Sequence, residues 1–308
     1  MDIFLKVFLK SSAGEVELST YDQDAPYRIL DGARGFGLPQ RSIESSPIAS
    51  GNGSSLRSQR FDETEMMLPI SIRGANASDV AEKARRLERV LMPASNEPIE
   101  VRVVAPQLST TRRRFIYYMG GLEGSIGGQD SHFTWRKSNI SFMALDPMWY
   151  GEEVVSPQRV LEARKPFITS RVGKDEVNPK RVPFLPIILS STTVEGEYKL
   201  NIGGDANTWP IWEVIGPGQD LLIEDAETGK NIFIEGEFNE PVIIDTRPTV
   251  SDIYSETDDD GELWDRVDDD YQLFPLTPGK NRIKITMVNA RPNSRVVLRY
   301  SETWLAGW

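Results

Sequence analysis

Cysteine is absent from this chain and histidine occurs once. The first absence removes disulfides, thiolate nucleophiles and thiolate zinc sites together, and fits a protein made in a reducing cytosol. The second means that any Ser-His-Asp triad or imidazole metal site has to be built on His132 alone. That residue lies in "QDSHFTWRK", beside Phe133 and Trp135 at the entrance to an expected strand, and a structural or surface role is expected for it. Long apolar runs are missing too. None approaches the ~18 residues that a membrane-crossing helix needs, which predicts a soluble chain. The opening "MDIFLKVFLKSSAGE" has no long apolar core with a small-residue cleavage site, so no secretory signal is expected. A phosphate-binding loop is lacking as well. The glycines of "GGLEGSIGG" (120–128) do not fit G-x-G-x-x-G, and neither a strand-loop-helix unit nor a P-loop lysine follows; they read as a bend between strands.

Charge is present but unevenly placed. Residues 1–150 hold 18 Lys and Arg against 18 Asp and Glu, so the whole net charge of −11 falls in 151–308. An acidic surface repels phosphate backbones, which argues against nucleic-acid reading by that half; plain solubility is the alternative use. The basic cluster "TRRRF" (111–115) has no interleaved stacking aromatics and is expected in an exposed hairpin or a salt-bridged interface.

A chain of 308 residues suggests two domains of roughly 150 residues. In the first, 1–150, one helix is legible at about 78–92. Val80, Ala84, Leu87 and Leu91 share a face, Asn76 or Ser78 can cap the start, Asp79 and Glu82 lie in the first turn, and Pro93 stops it. Around it, "MMLPISIRG", "IEVRVVAP" and "NISFMALDP" alternate as strands, which predicts a split barrel or β-sandwich whose open side the helix covers. Residues 31–60 are rich in Gly, Ser and Arg and form either a surface loop or a long hairpin arm that orders against a neighbouring subunit. Residues 151–182 read as a linker or irregular crossing. From 183 to 308 short strands recur with turns between them, the clearest being "RIKITMV", and an all-β sandwich is expected.

Chemistry is harder to find. In "SETDDDGELWDRVDDDYQLF" (255–274), Asp258, Asp260 and Gly261 match three positions of an EF-hand loop, but Glu256 and Val267 stand where its first and last ligands belong. That leaves a solvated acidic loop, or a looser calcium site drawn from Asp258, Asp259, Asp260, Asp268, Asp269 and Asp270. Nothing selects a catalytic pair among so many carboxylates. Tryptophans Trp264, Trp304 and Trp308 could stack on sugar rings or meet a partner, or serve packing.

Turn chemistry is the richest signal. In "NIGGDANTWPIWEVIGPGQD", Asn201 and Gly203-Gly204-Asp205 turn the chain after a strand, Pro210 opens the next, and Gly216-Pro217 closes it. Then "LFPLTPGKNRIKI" repeats the logic with Leu276, Pro278, Gly279 and Asn281 before Ile283, and the first half ends in "ALDPMWYG" with Asp146, Pro147 and Trp149. In this order and spacing the strings resemble the distal tail (Dit-like) family of long-tailed, non-contractile phages. The resemblance implies an N-terminal split-barrel ring domain with one helix, followed by a galectin-like, carbohydrate-binding-module-like sandwich that projects outward. It implies a non-enzymatic, cofactor-free structural protein of the virion tail tip, synthesised in the host cytoplasm. Its implied role is a homohexameric ring between the tail tube and the tip apparatus, with genomic DNA and the tape-measure protein passing through the lumen. Implied partners are copies of itself, the tail tube protein, the tape-measure protein and a tail hub or tip protein. Asp146, Trp149 and Pro210 would then serve folding and domain placement. The acidic insertion 255–270 and the aromatic end depart from the smallest members, and leave open binding of host cell-wall glycan through exposed tryptophans.

Overall fold

A computed structural model of the chain describes residues 5–93, 96–105, 110–122, 131–155, 159–160, 194–255, 263–291 and 293–308. Most of the expected linker 151–182, and Asp258, Asp259 and Asp260 of the acidic loop, lie outside the described residues. Contacts divide the chain into two compact units: Met1–Glu152 with Gly204–Ala206 and Glu302–Trp308, and Glu153–Gly203 with Asn207–Ser301.

The first unit contains strands β1 (Lys6–Ser11), β2 (Gly14–Ser19), β3 (Tyr27–Ile29), β4 (Arg41–Pro47), β5 (Ser54–Phe61) and β6 (Thr64–Arg73), then helix α1 (Ala77–Leu91). After the helix come β7 (Ile99–Ala105), β8 (Thr110–Gly120), β9 (Ser131–His132), β10 (Trp135–Ala144) and β11 (Trp149–Val155). Strands β8, β7, β1, β2, β3, β6 and β10 are hydrogen-bonded in that order, and a β8–β10 pairing closes them into a seven-stranded barrel. The inside is set by alternation: Val7 and Leu9, Val16 and Leu18, and Ile99, Val101 and Val103 are all buried, while Lys10, Glu17 and Arg102 look outward. Burying each such aliphatic side chain contributes about 1.5–3 kcal/mol.

Helix α1 starts where Asn76 accepts a hydrogen bond from Asp79 N (3.0 Å) and buries Val80, Ala84, Leu87, Val90 and Leu91 against the barrel core. Tyr27 Oη donates to Lys83 O (2.9 Å) and ties the helix to β3. The segment 31–60, for which a loop and an arm were both open, contains the β4–β5 hairpin, and neither strand pairs with any other described strand.

The second unit holds β12 (Arg159–Val160), β13 (Val194–Ile202), β14 (Ile211–Ile215), β15 (Gly218–Asp225), β16 (Asn231–Phe238), β17 (Val242–Asp245), β18 (Asp252–Ser255), β19 (Gly279–Val288) and β20 (Arg295–Trp304). One sheet runs β13-β19-β15-β16 and the other β18-β17-β14-β20. Their inner residues share one core, where Tyr198 of the first sheet meets Trp212 of the second edge to face at 6.3 Å and donates its hydroxyl to Val296 O (3.2 Å). This is a β-sandwich, as the alternation of Ile283, Ile285 and Met287 in β19 required.

Candidate functional site

Strand β8 carries three consecutive arginines, and its pleat sends them to opposite faces. Arg112, Arg114 and Ile116 point inward and are buried; Phe115, Tyr117 and Met119 point outward and are exposed. This corrects the expectation that "TRRRF" is an exposed hairpin or salt-bridged interface. Arg114 is 0% exposed because three carbonyls converge on it. Its Nε donates to Met148 O (3.2 Å), Nη1 to Gly35 O (2.9 Å) and Nη2 to Pro147 O. The guanidinium lies 4.2 Å over the Trp149 ring, which itself stacks on Phe36 at 6.0 Å. Burial pulls the Arg114 pKa down to about 10, against the opposing pull of Asp146 and Tyr150.

The D-P-x-W string is therefore a receptacle for a buried cation. Pro147 and Met148 offer carbonyls, and Trp149 offers its ring. Asp146 holds the turn by accepting from Met148 N (3.0 Å) and from the Tyr150 hydroxyl (2.5 Å). Gly35 completes it from a distant segment. It has φ +92°, and a Cβ there would come within 2.7 Å of Met66 Cα. Gly35 was not singled out from sequence, and Arg114 only as one member of the "TRRRF" cluster.

The C-terminal residues are held in the same unit. Arg112 Nη1 donates to Ala306 O (2.7 Å) and to Trp308 O, and its guanidinium covers the Trp304 ring at 3.9 Å. Burial lowers the Arg112 pKa, with Asp205 opposing. Gly307 N donates to Phe36 O (2.7 Å). The Gly204-Asp205 turn grips the end of β20: Asp205 N and Ala206 N both donate to Thr303 O (2.9 and 3.2 Å). Gly204 sits at φ +91°, where a Cβ would lie 2.3 Å from that oxygen.

The remaining motif residues organise turns of the sandwich. Asn281 Oδ1 accepts from Thr277 N (2.9 Å), and its Nδ2 donates to Thr277 O (2.7 Å) and Gly279 O (3.1 Å). One side chain thus knits the Thr277-Pro278-Gly279 turn before β19. Leu276 is buried and exchanges both backbone hydrogen bonds with Thr208. Pro210 is buried and its carbonyl accepts from Thr246 Oγ1 (2.6 Å); Pro217, after a cis Gly216–Pro217 peptide, accepts from Ser294 Oγ (2.6 Å). Asn201 is exposed at the end of β13, paired in register with Lys280.

The binding candidates are differently placed. Trp264 is half-buried, donates Nε1 to Asp252 Oδ1 (3.1 Å) and packs edge-on to Tyr271 at 5.6 Å. Trp304 lies under Arg112, and of the three tryptophans Trp308 alone is classed as exposed. Asp268 and Asp270 are exposed, and no group of three or more metal-ligating side chains occurs among the described residues. His132 is exposed and stacks on Trp135. A cavity of about 250 Å³ beside Phe36 and Trp308 is lined by one ionisable side chain, Arg34.

No protein-family model matches the sequence, and no curated protein matches it. Solved structures do match. The Dit (gp 19.1) protein of phage SPP1, described as a paradigm of the hub adsorption apparatus in phages infecting Gram-positive hosts, aligns over 97% of this chain and 98% of its own. Its TM-score is 0.58 and its identity 12%. The chain has the Dit fold. Two structures of the phage P2 baseplate in its activated conformation, with Ca and with Sr, align over 98% and 97% of this chain and 98% of theirs. Each is 10% identical, with TM-scores of 0.49 and 0.44.

On this Dit fold the β4–β5 hairpin and the outer face of β8 carry exposed apolar side chains of the first unit, as do Leu38, Met92, Phe133 and Leu145 elsewhere in it. Directly opposed residues share a face, so Ile43, Pro47, Leu56 and Phe61 lie on one side of the hairpin. Ile43 is 67% exposed and Leu56 59%. The other side is laced by its own polar bonds, Ser58 Oγ to Glu44 (3.0 Å) and Arg57 Nε to Ser46 Oγ (2.9 Å). On β8, Phe115 and Met119 are 45% and 56% exposed, and Tyr117 pairs in register with Met143 of β10.

Proposed function

We propose that this chain is a structural protein of a phage tail tip, a homohexameric ring adaptor between the tail tube and the host-adsorption apparatus, with genomic DNA passing through its lumen. The observation that carries the proposal is the match of the whole chain, both units in order, to a hub protein of an adsorption apparatus. The residues quoted for the resemblance support it. Asp146, Pro147 and Trp149 build the seat of Arg114, Gly204 and Asp205 grip β20, and Asn281 sets a turn, so their work is folding. The first unit forms the ring, and its partners are other copies of itself, the tail tube protein, the tape-measure protein and a tail hub or tip protein. It acts in the virion tail tip after synthesis in the host cytoplasm.

Light scattering of the purified protein over a range of concentration and salt is the test, with reconstitution into tails lacking the protein beside it. The expected mass is six times the 34.7 kDa of the chain. A monomer at every concentration that also fails to enter tails would sink the reading.

A second reading is recognition of host cell-wall glycan by the sandwich. The observation favouring it is the Trp264–Tyr271 pair, whose tyrosine is exposed. Tyr271→Ala is the cleaner probe, because Trp264 also packs against the core. Retention on cell walls that is absent, or unchanged by this substitution, would remove the idea.

A further inference from the structure

We propose that the outer face of β3, β6 and β10 binds a sugar phosphate unit of a phosphate-linked glycan. Arg28, Arg73 and Lys137 hold the phosphate, and the sugar ring rests on the aromatic edge formed by His132 and Phe133. The site lies wholly in the first unit, and it stands or falls apart from both the ring reading and the Trp264–Tyr271 pair of the sandwich. Strand register builds it. Ser71 of β6 faces Arg28 of β3 on one side and Lys137 of β10 on the other, and further along the same pleat Arg73 faces Trp135. Adjacent strands are about 4.8 Å apart. The long side chains of Arg28 and Lys137 therefore stand astride the small, buried Ser71, within reach of one anion.

Among the described residues no carboxylate lies within salt-bridge distance of these cations. Arg28 Nε is buried with no hydrogen-bond partner, Arg73 Nη1 donates to Gln23 O (2.7 Å), and the Lys137 ammonium sits 5.3 Å from the Trp135 ring centre. Asp22 and Asp24, exposed on either side of Gln23, temper Arg73 at one end, and Asp79 is taken by Lys83 (2.9 Å). Beyond Arg28 come Ser19 and then Lys6, itself paired with Glu17 (2.8 Å). Arg28 and Lys137 are thus left uncompensated, and an anion laid between them relieves their repulsion through charge-assisted hydrogen bonds. The neighbouring edge supplies ring surface. His132 lies flat against Trp135 (6.2 Å, 15°), and Phe133 meets His132 edge-on at 5.6 Å and is 74% exposed. Exposed rings beside cations suit a ligand with both a flat apolar side and an anionic group. Duplex DNA offers phosphates but hides its ring faces, leaving Phe133 and His132 idle; a phosphate-linked sugar uses both halves of the site.

The test titrates the full-length protein with N-acetylglucosamine 1-phosphate, N-acetylglucosamine, inorganic phosphate, thymidine 5′-phosphate and a short DNA duplex, compared per phosphate by ligand-observed NMR at low salt. The expected result is saturable binding of the sugar phosphate, at least about tenfold tighter than that of inorganic phosphate or of the neutral sugar, since each half alone forfeits the contacts of the other. Lys137→Gln is expected to weaken it about tenfold with an unchanged circular dichroism spectrum, because that side chain is exposed. Arg28→Gln should act likewise. Phe133→Ala should abolish the preference for sugar phosphate over inorganic phosphate while leaving phosphate binding in place. No saturable binding of the sugar phosphate, or binding that Lys137→Gln and Phe133→Ala leave unchanged, overturns the proposal. Tighter binding of thymidine 5′-phosphate assigns the face to single-stranded nucleic acid, and tighter binding of the duplex assigns it to DNA in transit; either result overturns the glycan. None of these outcomes depends on the light-scattering mass, so the ring reading fails or survives separately.

Discussion

At the scale of single residues, the best-organised group is a cation with no solvent. Arg114 exchanges its hydration for three carbonyls and an indole face, and removing it strands those carbonyls while opening a void beside Trp149. Arg114→Ala is expected to destabilise the first unit by about 3–5 kcal/mol, measured as a lowered urea midpoint at constant slope. Arg114→Lys should recover little of this, because an ammonium on a flexible stem cannot reproduce the planar fork. A Lys variant as stable as the wild type would show that charge alone, without the geometry, accounts for the site. None of this was visible in "TRRRF". A run of like charge reads as solvated surface, and the acceptors that change the outcome come from Gly35, Pro147 and Met148, each more than thirty residues away.

At the scale of elements, local signals worked where local physics decides. The helix expected at about 78–92 is Ala77–Leu91, because a cap, a stripe and a proline stop act within a few turns. Its first turn gives a pH prediction. Asp79 accepts from Ala75 N (2.8 Å) and pairs with Lys83 (2.9 Å), and these bonds hold its pKa below the usual aspartate value. A carboxylate lowered in the folded state contributes stability that is complete above its unfolded pKa and is lost as pH falls through the folded one. Asp79→Asn should therefore flatten the acid limb of the stability curve; an unchanged acid limb in urea titrations would refute this role. The β4–β5 hairpin was only one of two alternatives, because its strands are mostly Ser and Arg, with one apolar side chain every few residues. A strand whose apolar side is not buried by its own chain leaves little periodicity to read.

At the scale of the whole molecule, the two β-rich halves follow from composition and alternation, but the fate of the aromatic end does not. Residues 302–308, the end of β20 and the stretch after it, belong to the first unit, held by Arg112, Phe36 and the Gly204-Asp205 turn. Deleting 302–308 should lower the melting transition of the first unit, because Arg112 loses the Ala306 and Trp308 carbonyls and the Trp304 ring, while the second unit's own core is untouched. Differential scanning calorimetry checks this; two transitions identical to those of the full chain would overturn it.

The same return has a consequence for synthesis. Domains ordinarily fold in the order in which they leave the ribosome. Here the barrel is translated first, but the strand end that supplies Thr303 and Trp304, and the carbonyls that Arg112 needs, emerge only after the sandwich. The first unit therefore lacks one of its own parts through translation of the whole sandwich, until residues 302–308 follow. A nascent chain stalled before residue 302 already holds every barrel strand, yet leaves Arg112 without those carbonyls and that ring.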